Sequence, residues 1–204
     1  MNSDDEEAPG LSLRESRILA KELLRNEMRA RLNKMPASAR TTASAQARRL
    51  LEAQPRWKEA RSVLFYAPLP GELDVWQLLA EALAMGKIVA LPRFDAEHDR
   101  YLACEVRDPN ADLAPGRFGI REPSNGCPQI ALTRLDFVLA PGVAFDLHGR
   151  RLGRGKGYYD RLLASVRGVI CGVAFDEQIV GDLPVAPHDA RVNCILTPTR
   201  WIEP

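Results

Sequence analysis

The chain has 204 residues, 46% of them hydrophobic and 27% charged, which is enough to bury one core and makes a single domain the expectation. Its formal net charge of +1 argues against a general nucleic-acid or membrane-surface binder. No apolar run approaches the length of a membrane-spanning helix, and the acidic N-terminus is unlike a secretion signal. We therefore expect a cytoplasmic monomer that binds neither nucleic acid nor membrane.

The four cysteines are distant from one another in the sequence. No Cys-x-x-Cys pair and no histidine at zinc-finger spacing accompanies them. The sequence therefore predicts reduced, mostly buried thiols and no zinc site. The four are Cys104, Cys127, Cys171 and Cys194.

The N-terminal region begins with a short acidic segment and continues as a helix. Residues 1–10 are polar and acidic, which predicts a disordered tail, and residues 11–204 form the expected α/β domain. Ser12 and Glu15 have the spacing of a capping box, and helical periodicity continues to about Asn33.

One face of that helix carries a cationic row. Lys21, Arg25 and Arg29 recur every four residues, so their side chains share a face. Such a row is usually a solvated surface. It gains a functional meaning only if it faces another part of a binding site.

The next segments alternate between helix and strand. Acids follow the first strand, where parallel sheets place their ligands: Glu72 is a candidate binding residue, and Asp74 is better explained as a cap of the next helix. A Pro92-Arg93 pair is expected to leave the second strand at the same edge. The predicted elements are a helix from Pro36 to about Leu51, a strand at 61–67, a helix at 75–85 and a strand at 87–91.

The second half of the chain continues the α/β pattern. It contains a Pro- and Gly-rich segment, 108–128, that predicts a long loop or flap. The order of elements predicts a three-layer α/β/α domain with a mostly parallel sheet, preceded by an N-terminal helical pair. The remaining predicted elements are strands at 101–106, 135–140, 168–175 and 192–197, a helix at 158–166 and a short helix at 176–180.

The densest chemistry lies between residues 150 and 161. Gly153, Gly155 and Gly157 alternate with Arg154 and Lys156, just before the predicted helix. Glycines permit close backbone approach, the cations suit phosphate, and a helix N-terminus favours anions. The spacing matches neither the Walker nor the Rossmann fingerprint. An anion-binding loop is favoured over a basic surface turn, which remains the alternative.

Several separated segments together resemble the 5-formyltetrahydrofolate cyclo-ligase family, also called 5,10-methenyltetrahydrofolate synthetase. The similarity covers nearly all of the chain except the acidic tail, and the long glycine segment is its most specific part. The main segments are Lys21-x-x-Leu24-Arg25, Pro70-Gly71-Glu72-Leu73-Asp74, Pro141-Gly142-Val143-Ala144-Phe145-Asp146 and Leu152-Gly153-Arg154-Gly155-Lys156-Gly157-Tyr158-Tyr159-Asp160-Arg161. Shorter ones are Leu91-Pro92-Arg93, Phe118-Gly119-Ile120 and Pro187-His188-Asp189.

The resemblance implies a reaction and a set of site residues. ATP and 5-formyltetrahydrofolate would give 5,10-methenyltetrahydrofolate, ADP and phosphate with Mg²⁺, through phosphorylation of the formyl oxygen and ring closure by N10. The implied catalytic residues are Arg154, Lys156 and Tyr158. The implied ATP-binding residues are Lys21, Arg25, Arg151, Leu152, Gly153, Arg154, Gly155, Lys156, Gly157, Tyr158 and Tyr159. The folate substrate would be bound by Ala67, Glu72, Arg154, Gly155, Lys156, Gly157 and Tyr158, and Mg²⁺ by Asp160 and Asp189.

Two positions depart from the family pattern. Val75 stands where Thr is common. Asn193 stands where members commonly have an acid, and an amide brings no charge to the region expected to hold the metal. This leaves a second interpretation, a non-catalytic relative that binds ATP or folate without turnover. The intact glycine segment favours the enzyme.

Overall fold

The structure is a computed structural model that describes residues 12–116, 119–184, 186 and 189–204. The acidic tail at 1–10, Phe118 and the Pro187-His188 pair therefore lie outside the described residues. The helices are α1 (Leu13–Asn33), α2 (Ala37–Glu52), α3 (Pro55–Glu59), α4 (Trp76–Ala84), α5 (Pro109–Asp112) and α6 (Tyr158–Leu163). The strands are β1 (Ser62–Leu64), β2 (Ile88–Asp95), β3 (Arg100–Glu105), β4 (Leu113–Pro115), β5 (Arg121–Pro123), β6 (Phe137–Pro141), β7 (Ala144–Asp146), β8 (Arg151–Leu152), β9 (Val169–Val173), β10 (Ile179–Val180), β11 (Cys194–Leu196) and β12 (Trp201–Ile202).

Seven strands form the central sheet, in the order β12-β11-β9-β6-β1-β2-β3. The five inner strands are parallel, and the edge strands β12 and β3 are antiparallel to their neighbours. Alternate residues of β6 point to opposite faces: Phe137 and Leu139 join one buried cluster, with Trp57 of α3, and Val138 joins the other, with Leu162 of α6. The predicted α/β fold with a mostly parallel sheet is confirmed.

The first helix begins where its capping box predicted. The Ser12 side chain accepts a hydrogen bond from the backbone N–H of Glu15, whose carboxylate accepts from the Ser12 N–H in return. Within this fully described helix only Met28 is buried, and residues 12–20 are all exposed. No helix in the described part of the chain is long and apolar enough to span a membrane.

The second strand runs further than expected. Pro92-Arg93 does not leave the sheet, because β2 continues to Asp95 and pairs with β3. The backbone amide of Phe94 points away from β3 and donates to the Glu122 side chain. Backbone nitrogens two residues apart in a strand point the same way, so the nitrogen of Pro92 also points away from β3. The neighbouring strand on the side away from β3 is β1, which ends at Leu64. Pro92, which has no N–H, therefore removes no hydrogen bond between strands.

Several short elements were not predicted. The segment expected to be a flap contains α5 and the β4–β5 hairpin, and the buried Glu122 accepts from the backbone of β2. After β6, the strands β7, β8 and β10 form a separate three-stranded sheet. Strands of two or three residues are too short to show a hydrophobic period. As predicted, the four cysteines are free and buried.

The turn before β9 tolerates only glycine. A Cβ built on Gly168 would lie 2.2 Å from the carbonyl oxygen of Leu135 and 2.4 Å from that of Asp136, both backbone atoms. We expect Gly168→Ala to lower the free energy of unfolding by about 2–3 kcal/mol, because the backbone of Leu135 and Asp136, just before β6, must shift. Gly181→Ala is the control, since its Cβ would meet nothing within 4 Å. Equal urea midpoints for the two variants would contradict the prediction.

Candidate active site

The glycine segment forms a loop between β8 and α6. Gly155 and Gly157 have left-handed backbone conformations, with φ of +98° and +68°, and Gly157 is the N-cap of α6. A Cβ on Gly155 would lie 3.4 Å from the guanidinium carbon of Arg25 on α1. Gly155 and Gly157 therefore adopt the positive φ that the sequence predicted, and Gly155 also allows the close approach of Arg25.

Two cavities flank this loop, one on each side. The first, of about 460 Å³, is lined by Arg14, Arg17, Ile18, Lys21, Arg25, Leu152, Gly153, Gly155, Gly157, Asp160, Ala186 and Asp189. The second, of about 320 Å³, is lined by Tyr66, Ala67, Leu69, Glu72, Pro92, Tyr101, Ile120, Pro141, Gly142, Arg151, Gly153, Arg154, Lys156, Gly157, Tyr158, Tyr159 and Asp160. Gly153, Gly157 and Asp160 line both, so the loop is a shared wall.

The first cavity is lined by the cationic face of α1. The Nε of Arg25 donates to the carbonyl of Gly153 at 2.9 Å, which fixes the helix to the loop. The Lys21 ammonium lies 2.5 Å from the Asp189 carboxylate, and these side chains are 14% and 12% exposed. Arg29, the third member of the predicted row, is exposed and is not among the described lining residues of either cavity.

Sequence reasoning missed the extension of this row toward the N-terminus. Arg14 and Arg17 also line the first cavity. Arg14 lies three residues before Arg17, and Arg17 lies four before Lys21. This helical spacing predicts that all three side chains share one face of the helix.

The two carboxylates expected to hold Mg²⁺ both line the first cavity. Asp160 accepts from the guanidinium of Arg151 at 2.7 Å and from the amide of Ala190 at 3.4 Å. Among the described residues, no cluster of three or more His, Cys, Asp or Glu side chains could hold a metal on its own. Mg²⁺ commonly takes one or two carboxylates and completes its shell with water and substrate phosphates. The pair Asp160 and Asp189 beside a cationic cavity fits that requirement.

Aromatic rings form much of the second cavity. The Tyr158 ring lies 5.5 Å from that of Tyr101 and 5.4 Å from that of Phe94, both in edge-to-face geometry. The Tyr158 hydroxyl donates to Asp99 at 2.9 Å, and the Arg161 guanidinium lies 5.0 Å from the Tyr158 ring centre. These contacts hold the ring at the side of a cavity wide enough for a flat heterocycle.

A carboxylate from the turn after β1 reaches into the same cavity. One oxygen of Glu72 accepts from Arg154 at 2.8 Å, and the other accepts from the backbone amide of Leu69 at 2.9 Å. Glu72 is mostly buried, with its side chain 11% exposed, whereas that of Arg154 is 58% exposed. Lys156 is exposed at this cavity and forms no salt bridge with any described residue.

Arg151 is a buried cation in the lining of the second cavity. Its guanidinium donates to the carbonyl of Pro141 at 3.0 Å as well as to Asp160, and lies 5.7 Å from the ring centre of Tyr159. Burial, and then the nearby charge of Glu72, raises the pKa of Tyr159 well above its ordinary value. The phenol therefore stays neutral at physiological pH.

The cavities divide the residues that the sequence grouped as one ATP site. Lys21, Arg25, Leu152 and Gly155 line the first cavity, together with the shared Gly153 and Gly157. Arg151, Arg154, Lys156, Tyr158 and Tyr159 line the second, with Ala67 and Glu72. The loop backbone alternates: Gly155 faces one cavity, and Arg154 and Lys156 face the other.

The expectation that Asn193 lies in the metal region is wrong. Asn193 directly precedes β11, and its side-chain oxygen accepts from the amide of Ile170 at 2.7 Å. It lines a different cavity with Asp136 and Gly168, at the edge of the sheet where the parallel strands begin. The site lies beyond the opposite edge, so this amide gives no reason to expect lost turnover. Asp74 lies one residue before Val75, the N-cap of α4, and its carboxylate accepts from the amide of Trp76 at 2.8 Å, so Asp74 stabilises the start of this helix.

Comparisons with known proteins identify the family to which this chain is similar. A profile of the 5-formyltetrahydrofolate cyclo-ligase family matches residues 17–198. The 5-formyltetrahydrofolate cyclo-ligase of Mus musculus is 29% identical over 87% of this chain and 93% of its own length, and that of Escherichia coli K12 is 34% identical over 71% and 81%. The NMR structure of Aquifex aeolicus 5,10-methenyltetrahydrofolate synthetase superposes with a TM-score of 0.81 at 36% identity, covering 90% of this chain and 92% of that one.

Proposed function

The chain belongs to the 5-formyltetrahydrofolate cyclo-ligase family of enzymes, and we propose that it uses ATP and Mg²⁺ to convert 5-formyltetrahydrofolate into 5,10-methenyltetrahydrofolate, ADP and phosphate. One observation carries this proposal: a glycine loop separates a cationic cavity from an aromatic one, and Gly153, Gly157 and Asp160 line both. ATP occupies the first cavity and the folate the second. The terminal phosphate and the formyl oxygen meet at the shared wall.

The residues of the first cavity bind and orient the triphosphate. Lys21 and Arg25 supply charge along α1, and the loop supplies backbone at Gly155. Asp160 and Asp189 would hold Mg²⁺, which when bound neutralises phosphate charge. Lys21 pairs with Asp189 before the ligands bind. When ATP and Mg²⁺ bind, Lys21 pairs with a phosphate and Asp189 with the cation, so two ion pairs replace one.

The second cavity orients the folate. The ring of Tyr158 and the backbone at Ala67 line the space for the flat pterin. The formyl oxygen attacks the γ-phosphorus and the bond to ADP breaks, which leaves positive charge on N5 of the phosphorylated intermediate. The Glu72 carboxylate stabilises that charge. Ring closure follows: N10 attacks the formyl carbon and loses its proton, and phosphate departs.

Arg154 and Lys156 project from the loop toward the reacting phosphate. Transfer of a phosphoryl group asks the protein mainly for positioning and neutralisation of charge. The Arg154 side chain is 58% exposed, so its ion pair with Glu72 is partly solvated. Breaking this pair costs little free energy when Arg154 rotates toward the phosphate. Lys156 forms no salt bridge with a described residue, so none is lost when its ammonium contacts the phosphate.

A direct assay tests the proposal. Purified protein is mixed with 5-formyltetrahydrofolate, ATP and Mg²⁺, and the near-ultraviolet absorbance of the methenyl product is followed. We expect product only when ATP and Mg²⁺ are both present, with one ADP formed for each methenyl group. Folded protein that forms no product would contradict the proposal, as would product formation without ATP.

A further inference from the structure

The first two turns of α1 carry three side chains that the proposed reaction leaves without a role. Arg14, Arg17 and Ile18 line the first cavity, although residues 12–20 are all exposed. Single exposed apolar side chains are common on protein surfaces. The informative feature is the place of Ile18, which is 54% exposed inside a cavity lined mostly by charges and glycines.

The helix places these side chains away from the reaction centre. Arg25 marks the loop end of α1, because its guanidinium bonds to Gly153 and lies against Gly155. Ile18 precedes it by seven residues, or about 10 Å along the helix. A triphosphate with its terminal phosphate at the shared wall therefore extends past Lys21, and its nucleoside end reaches the first turns of α1.

We propose that Ile18, flanked by Arg14 and Arg17, binds the base of the nucleotide. This inference rests on the proposed function and names the part of ATP that each end of α1 holds. The face of a purine is apolar enough to cover an isoleucine side chain, and guanidinium planes stack on aromatic rings. The face of α1 that lines the first cavity thus contacts phosphate at Arg25 and Lys21 and the base at Ile18.

Comparing ATP with inorganic tripolyphosphate, which lacks the nucleoside, tests the inference. Dissociation constants are measured by calorimetry with Mg²⁺ for the wild type and for Ile18→Ala. We expect Ile18→Ala to weaken ATP about 5- to 10-fold, because apolar contact is lost, and to leave tripolyphosphate unchanged. Lys21→Ala should weaken both ligands.

Matched controls separate the base contact from a general effect on the helix. Leu19 is 46% exposed on the same helix and is not among the described residues lining the cavity. Leu19→Ala should bind ATP like the wild type. If Ile18→Ala weakens neither ligand, or both equally, the base assignment is wrong while the proposed function stands. If the wild type binds no ATP, the proposed function itself fails.

Discussion

Replacing Lys156 by alanine is expected to reduce kcat about 10²- to 10³-fold while leaving the fold intact. The side chain is exposed at the second cavity and contributes to no ion pair with the described residues, so its loss costs little stability. In the proposed mechanism its charge stabilises the phosphoryl group in the transition state, where neutralisation matters most. Steady-state kinetics with both substrates saturating, together with circular dichroism, checks the prediction.

Lys58→Ala is the control for that experiment. Lys58 is also an exposed lysine, but it lies on α3 and is not among the described residues of either cavity. It should retain wild-type kinetics. A Lys156→Ala variant with near-normal turnover would show that this lysine does not assist phosphoryl transfer.

Glu72→Gln is expected to lower kcat/KM for 5-formyltetrahydrofolate about 10²-fold. The amide oxygen can still accept from the Leu69 backbone, so the local structure persists. The charge facing Arg154 is lost, and with it the stabilisation of positive charge on the folate. A 10²-fold loss corresponds to about 2.7 kcal/mol of transition-state stabilisation, the size found for one polar group at a reacting centre.

The dissociation constant for ATP separates this effect from damage to the whole site. It should stay unchanged in Glu72→Gln, because Glu72 lines only the second cavity. Glu105→Gln, which removes a carboxylate paired with Arg107 on the edge strand β3, should behave as the wild type. Normal folate kinetics in Glu72→Gln would remove Glu72 from the proposed mechanism.

Local features of this protein could be predicted from neighbouring residues alone. The capping box of Ser12 and Glu15 begins α1, and two of the three alternating glycines, Gly155 and Gly157, take the left-handed conformations that only glycine adopts cheaply. Both depend on interactions within a few residues. The parallel sheet also followed from the order of helices and strands, since crossover connections leave few alternatives.

Contacts between distant segments could not be derived in this way. The pair Lys21 and Asp189 joins residues 168 positions apart, and Arg154 and Glu72 are 82 apart. No periodicity connects such residues, and only the family resemblance grouped them in one site. The position of Asn193 shows the limit of that grouping. Proximity to Asp189 in the sequence did not bring it to the same edge of the sheet, because Asn193 lies directly before β11, at the edge where the parallel strands begin.

The division of the site into two cavities was equally hidden, because neighbours in the sequence face opposite sides. Gly155 and Lys156 line different cavities although they are adjacent in the sequence. A linear motif suggested one binding site for the whole segment. The structure shows that the segment is a partition.

A partition of this kind has a consequence for the order of events during turnover. In the proposed arrangement, ATP and the folate enter and leave from different sides of the loop and need not pass each other. Either substrate can arrive first, and either product can depart first. Initial-rate plots should therefore intersect rather than run parallel, and ADP should compete with ATP without competing with the folate.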